Sequence, residues 1–346
     1  MGCQNLIEPS PIMEIQMKEI SSVYQKYHKL LKLYTKVQAT QLTQEYCLSS
    51  SPLSIEEQLA RLEFLYMNDY HKELKALVHS PHYSYEAVSL YHVLIARKVR
   101  LLTFEELRWL EALTYRHPSI QCLHYFIIVY AYYDLKQYEG FEKYIELCQQ
   151  ALYKVNEPLF HYYMKLRFDE VSFHHYWKTN RTILARKYAY KFINKVISPI
   201  QLCKMYHHLA LSHLYDDFEA SYDYAKKALS IAENNNLAAA MTSIRNHTIP
   251  FICAFHRRTD NITSPDPTES AHIAIAENNY SAAMEILCTL DHLTPFQETY
   301  LGAARLDKDM LLRAHYRFKW ELNDFFFARL PLEYLNRITI NMEDET

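Results

Sequence analysis

Apolar residues recur at helical spacing along most of this chain. Ile20, Val23, Tyr24, Tyr27, Leu30, Leu31, Tyr34 and Val37 follow an i, i+3, i+4, i+7 pattern. That predicts one strong amphipathic helix after a polar, proline-bearing start (Pro9, Pro11). Ser49-Ser50-Ser51-Pro52 interrupts the pattern. Ser54 then reads as an N-cap, with Glu57 three residues on completing a capping-box pattern, and the helix it opens runs to about Asn68. Further helices are predicted at 69–80, 83–101, 103–116, 119–135, 138–154, 157–178, 180–196, 199–214 and 217–234. The series continues at 236–256, 268–277, 279–290, 295–305, 308–321 and 323–336. Pro250 and Pro331 fall inside two of these spans, which predicts shortening or a kink there.

The helices form similar pairs, and the second member recurs. Copies run from Tyr138 to Tyr144, Ile183 to Ala189, Phe218 to Leu229 and Tyr280 to Leu287. The first three are spaced by roughly 36–44 residues, near the length of a tetratricopeptide-type hairpin. Alanine and serine within each copy let neighbouring helices approach closely. One hairpin cannot bury its apolar face alone, so stacking is expected. The predicted fold is all-α, a right-handed superhelix of tetratricopeptide-like hairpins.

Composition sharpens this. Among 346 residues only Gly2, Gly140 and Gly302 are glycine, where an average chain would have roughly 24. A glycine-rich phosphate cradle is excluded, because its backbone must come close to the phosphate. Hairpin-rich β folds are disfavoured, since neither Asn-Gly nor Asp-Gly occurs. The turns must be made with Pro, Ser, Asn and Asp. The 30 tyrosines suit helices whose surfaces are both adhesive and polar.

A net charge of −3 gives no chain-wide field toward nucleic acid or membranes. Seven cysteines without a CxxC pair read as reduced thiols, neither a disulfide framework nor a zinc one. The start, Met1-Gly2-Cys3-Gln4, departs from a myristoylation motif at Leu6. No apolar run is long enough to span a membrane, and the expected location is the cytoplasm.

Candidate chemistry is sparse. His207, His208 and His213 crowd one helix, but His208 and His213 are five apart, which turns the rings about 140° from each other. His213 and Asp217 supply only two ligands. His174 and His175 beside Trp177 read as structural. With no HExxH and no nucleophile elbow, neither a metal site, a cofactor nor an enzyme is expected. The expected site is a concave surface holding a short peptide. Its candidates are Tyr162 and Arg167 on one helix, His208 and Leu211 on another, and Asp324 and Phe326 opening the last. Lys26, Lys29, Lys32 and Lys36 lie mostly off the apolar face of the first helix and are the candidate DNA contacts.

The C-terminal run Asn323-Asp324-Phe325-Phe326-Phe327-Ala328-Arg329-Leu330-Pro331-Leu332 resembles the end of the arbitrium peptide receptors, the AimR-type lysis–lysogeny regulators of temperate Bacillus phages. Glu269 to His272, Asn279 to Leu287, Arg305-Leu306-Asp307, Lys227 to Ile231 and Tyr46-Cys47-Leu48 fit in the same order, over residues 40–336. The resemblance implies a DNA-binding head followed by a tetratricopeptide-like superhelix. It also implies a homodimer that activates transcription from an operator, and a short signalling peptide that switches activation off and favours lysogeny. The peptide would select one conformation by differential affinity, and the two heads would lose their half-site spacing. The organisation expected is 1–50 as a helical head, 51–337 as the peptide-binding array and 338–346 as a polar tail. Two features depart from the family. The first 50 residues supply one strong helix, short of a complete helix-turn-helix. The chain also closes on Asn341 to Thr346, where the family has a leucine-rich dimerising end. A scaffold that binds a protein partner without DNA is the rival reading.

Overall fold

The computed structural model describes residues 20–344, and among them there is no strand. The helices are α1 (Ser22–Leu31), α2 (Lys36–Ser49), α3 (Ile55–Met67), α4 (His71–Val78), α5 (Tyr85–Arg97), α6 (Phe104–Ala112), α7 (Pro118–Asp134), α8 (Glu139–Leu152), α9 (Pro158–Lys178) and α10 (Thr182–Ile193). They continue with α11 (Pro199–Ser212), α12 (Phe218–Asn234), α13 (Ala238–Ser243), a π-helical segment (Ile244–Thr248), α14 (Ile249–Phe255), α15 (Pro267–Ala276), α16 (Tyr280–Leu287), α17 (Pro295–Arg305), α18 (Lys308–Trp320) and α19 (Arg329–Asp344). The chain divides into two compact units, with divisions after Leu101 and Phe104 and within α7, α8 and α9.

The first unit is Met1–Leu101, Glu105–Ile128 and Glu146–Lys165. At its start the sequence reading needs a correction. The single helix expected over residues 20–37 is two, with a break at 32–35. Thr35 caps α2 through a capping box with Gln38, which offsets the cost of the break by satisfying free N–H groups. Ser54 caps α3 as expected. The Glu57 side chain, however, turns to Arg61 over 2.5 Å rather than closing a box. α3 is buried almost all round, carrying Leu59, Leu62, Phe64 and Leu65 with no exposed surface. Its charges are therefore partnered: Arg61 also donates to the Ser50 carbonyl, Tyr91 Oη donates to Glu63 over 2.8 Å, and Ser119 Oγ donates to Glu56 over 3.0 Å.

The second unit is Leu102–Phe104, Val129–Ile145 and Leu166–Thr346. It is built of packed neighbours: α11 on α12, α15 on α16, α17 on α18. The recurring alanines lie at the packed faces. Ala185, Ala189, Ala225, Ala228, Ala232 and Ala283 are all fully buried. Gly302 serves the same end, since a Cβ there would lie 3.1 Å from Leu311 Cγ on α18.

Pro250 neither ends nor shortens its helix. It widens it. Proline has no N–H to give the carbonyl four residues back and its ring crowds that group. Here the carbonyl is that of Asn246, inside the π segment, and it accepts from Ser264 Oγ over 2.5 Å. Pro331 acts earlier than expected. It is the third residue of α19, where its missing N–H costs nothing, so the helix expected at 323–336 begins at Arg329.

The turns explain how the chain dispenses with glycine. Asp69, Lys136, Asn180, Asn236, Arg257, Asn261, Asn278, Leu306 and Asn323 all have positive φ. Asparagine, the non-glycine residue most tolerant of this region, fills five of them.

Candidate functional site

The segment between α18 and α19 is bound into the second unit by its own backbone. Asn323 has φ 49°, which turns the chain out of α18, and its amide donates to the Lys136 carbonyl over 2.7 Å. Asp324 N–H donates to Phe318 O and Phe325 N–H to Lys178 O, both over 2.9 Å. Asp324 Oδ1 accepts from Phe327 N–H over 3.0 Å, and Oδ2 pairs with Lys178 Nζ. The Ala328 carbonyl lies 2.6 Å from His315 Nδ1. Asp324 and Phe326 therefore sit in a pinned turn ahead of the last helix, rather than opening it.

Around that turn lies an aromatic cluster. Phe326 is fully buried, with its ring centre 5.7 Å from that of Trp177 and 4.9 Å from that of Tyr215. Trp177 lies 5.4 Å from His208, which also faces Phe173 and His174. Lys178 Nζ lies 4.4 Å from the Trp177 ring centre, and Arg329 lies 4.4 Å above that of Tyr215. Trp177 Nε1, His208 Nδ1 and Tyr215 Oη are each buried in the cluster without a hydrogen-bond partner. Such atoms cost free energy unless something meets them. Burial, reinforced by His174, His207, Lys204 and Lys178, drives the His208 pKa well below its ordinary value, so the ring is neutral. It can donate or accept.

The remaining candidates are placed as follows. Arg167 is buried and donates to Tyr130 Oη over 3.1 Å; Tyr130 Oη in turn donates to Glu170 over 3.2 Å, and Lys204 lies 3.8 Å from Glu170. Leu211 is half-buried on α11, one turn from His208. Tyr162 belongs to the first unit, half-buried with its ring edge-on to Tyr163. His207 Nε2 bonds Thr248 Oγ1 over 2.8 Å, and burial lowers its pKa to about 4. His213 lies against Tyr224. Lys26, Lys29, Lys32 and Lys36 are all exposed on α1, the turn and the start of α2. Trp177, Lys178 and Tyr215 belong to this cluster and were not selected from the sequence; a Trp-Lys pair at a helix end carries no motif.

A family profile, AimR transcriptional regulator-like, matches residues 39–337. The chain belongs to this family. The AimR-like span opens within α2, closes within α19 and contains the whole pinned turn. Two solved structures share the fold. One is phAimR with ligand, at 16% identity, a TM-score of 0.72, and coverage of 90% of this chain and 96% of that one. The other is SeMet-phAimR, at 17% identity, a TM-score of 0.69, and coverage of 90% and 84%. None of the curated proteins matches significantly. Among the described residues no helix is long and apolar enough to cross a membrane.

Proposed function

We propose that this AimR-like chain is a peptide-sensing transcriptional regulator of phage lysis–lysogeny, in which a short signalling peptide binds the second unit and switches activation off. The observation that carries the reading is the cluster at Phe326. Trp177 Nε1 and Tyr215 Oη, on rings that flank Phe326, and Nδ1 of His208 against Trp177 are all unpartnered, beside a Lys178–Asp324 ion pair. A peptide backbone supplies both donors and acceptors for such atoms. Its two ends carry opposite charges, which an internal pair can meet by exchanging partners. His208, Leu211, Asp324 and Phe326 are the proposed contacts, with Arg167 positioned through Tyr130 and Glu170. Tyr162 belongs to the first unit and is left out of the proposed set.

DNA binding is proposed for α1, the turn and α2. Two helices joined by a four-residue turn are the connectivity that a helix-turn-helix uses, and Lys26, Lys29, Lys32 and Lys36 supply charge for phosphates. A homodimer would present two such heads to an operator. Calorimetric titration with the peptide encoded immediately downstream tests the receptor reading. Saturable binding with release of operator DNA in a gel shift supports it; no heat and no thermal shift overturn it. A chain that binds peptide but retards no DNA would instead be the partner-binding scaffold.

A further inference from the structure

We propose that His247, Asp266 and Glu269 form a binding site for a first-row divalent metal ion. The His247 ring nitrogen and one carboxylate oxygen from each of the other two lie within 4.8 Å of one another. His247 stands on the π-helical segment, exposed, while Asp266 and Glu269 stand at the N-cap and first turn of α15. One imidazole and two carboxylates on two separate elements make a three-ligand set that leaves positions open for water.

The donor atoms are free to take an ion. Asp266 Oδ1 is committed to capping α15, accepting from Glu269 N–H over 3.1 Å, and this leaves Oδ2 facing His247 Nδ1 at 3.9 Å, beyond hydrogen-bond range. Glu269 Oε2 is buried and has no hydrogen-bond partner. A fully buried side chain aims at it from behind: His272 presents an equally unpartnered Nδ1 to Glu269 Oε2 at 3.6 Å. The other ring nitrogen of His272 is held 2.6 Å from Tyr334 Oη, so the imidazole is oriented before any ion arrives. Metal-ligating carboxylates are commonly steadied in this way by an outer partner.

Ligand chemistry narrows the ion. An imidazole selects against magnesium and calcium, and the absence of a thiolate selects against copper(I). Zinc and manganese fit. An ion there would fasten the π segment to α15. The neighbouring residue Thr248 bonds His207, which adjoins His208, so the clamp would reach the helix that carries part of the proposed peptide site.

The test uses the full chain stripped of metal with a chelator and titrated with zinc chloride, then manganese chloride, by calorimetry. Saturable one-to-one binding with a rise in melting temperature is expected. His247→Ala and Glu269→Gln should each weaken it at least about tenfold, a loss that even outer-shell partners can cause. His247 is exposed, so its removal spares the fold, and circular dichroism checks both variants. Added cobalt should give visible bands in the wild type that His247→Ala lacks. No saturable binding, or wild-type affinity in either variant, overturns the proposal.

Discussion

Ser21 Oγ donates to Glu157 Oε1 over 2.6 Å, so the residue that caps α1 is tied to the residue ahead of α9, 136 positions later. Glu157 Oε2 accepts from Phe160 N–H over 2.6 Å, capping α9 in turn. Glu157→Ala should strand two buried donors and cost about 1–3 kcal/mol. Denaturant unfolding checks this, with Ser21→Ala expected to lose less.

The same carboxyl predicts a pH effect. Burial first, and then the nearby Glu56, raise the Glu157 pKa to about 7 against the lowering pull of its bonds to Ser21 and Phe160. Between pH 4.5 and 7 the folded chain holds a proton that the unfolded chain has released. This contribution to stability therefore falls as pH rises through that window. His207 and His213, both lowered to about 4 chiefly by burial, act with the opposite sign and lose stability as pH falls from 6.5 toward 4. Glu157→Gln should lessen the fall with rising pH and leave the histidine slope, as read from melting temperature against pH.

Lys178 and Asp324 are both nearly buried, so breaking the pair should cost more than replacing it. Asp324→Ala strands an ammonium and removes the Phe327 cap, a loss of about 3–5 kcal/mol. The double variant Lys178→Met, Asp324→Leu should recover much of that stability but bind no peptide. Urea midpoints and calorimetry separate the two outcomes.

Trp177→Phe deletes the unpartnered Nε1 and keeps most of the ring. Melting temperature should stay within a few degrees, while peptide affinity should fall about tenfold, the worth of one lost hydrogen bond of about 1.4 kcal/mol. Equal peptide affinity in this variant would remove Trp177 from the site.

Leu306 ends α17 with φ 56° and is largely exposed, so its side chain strains the backbone without filling the core. Leu306→Asn should raise stability by about 0.5–1 kcal/mol, measured as a higher urea midpoint with an unchanged slope.

Much of the helical array was legible because its signals are local. The cap at Ser54 and the alanine faces of the second helices each sit within a few residues of what they control. The break before α2 had its own signal in Thr35 and Gln38, but Tyr34 and Val37 carried the apolar period across it. The π segment was not legible, since Pro250 predicts trouble without saying that Ser264 Oγ resolves it. Of the candidate site, Asp324 and Phe326 were read from the sequence, whereas Lys178 meets Asp324 across 146 residues and nothing local announces such a pair.

The nine left-handed turns that the described residues build without glycine have a consequence outside the folded state. Each such residue strains the native backbone slightly, and a glycine would relax it. A chain with three glycines, however, is also stiffer when denatured, because nearly every residue carries a Cβ that limits where its backbone can wander. Less disorder is surrendered on folding. Part of what holds this protein together is therefore written in the poverty of its unfolded ensemble, where no contact between side chains would reveal it.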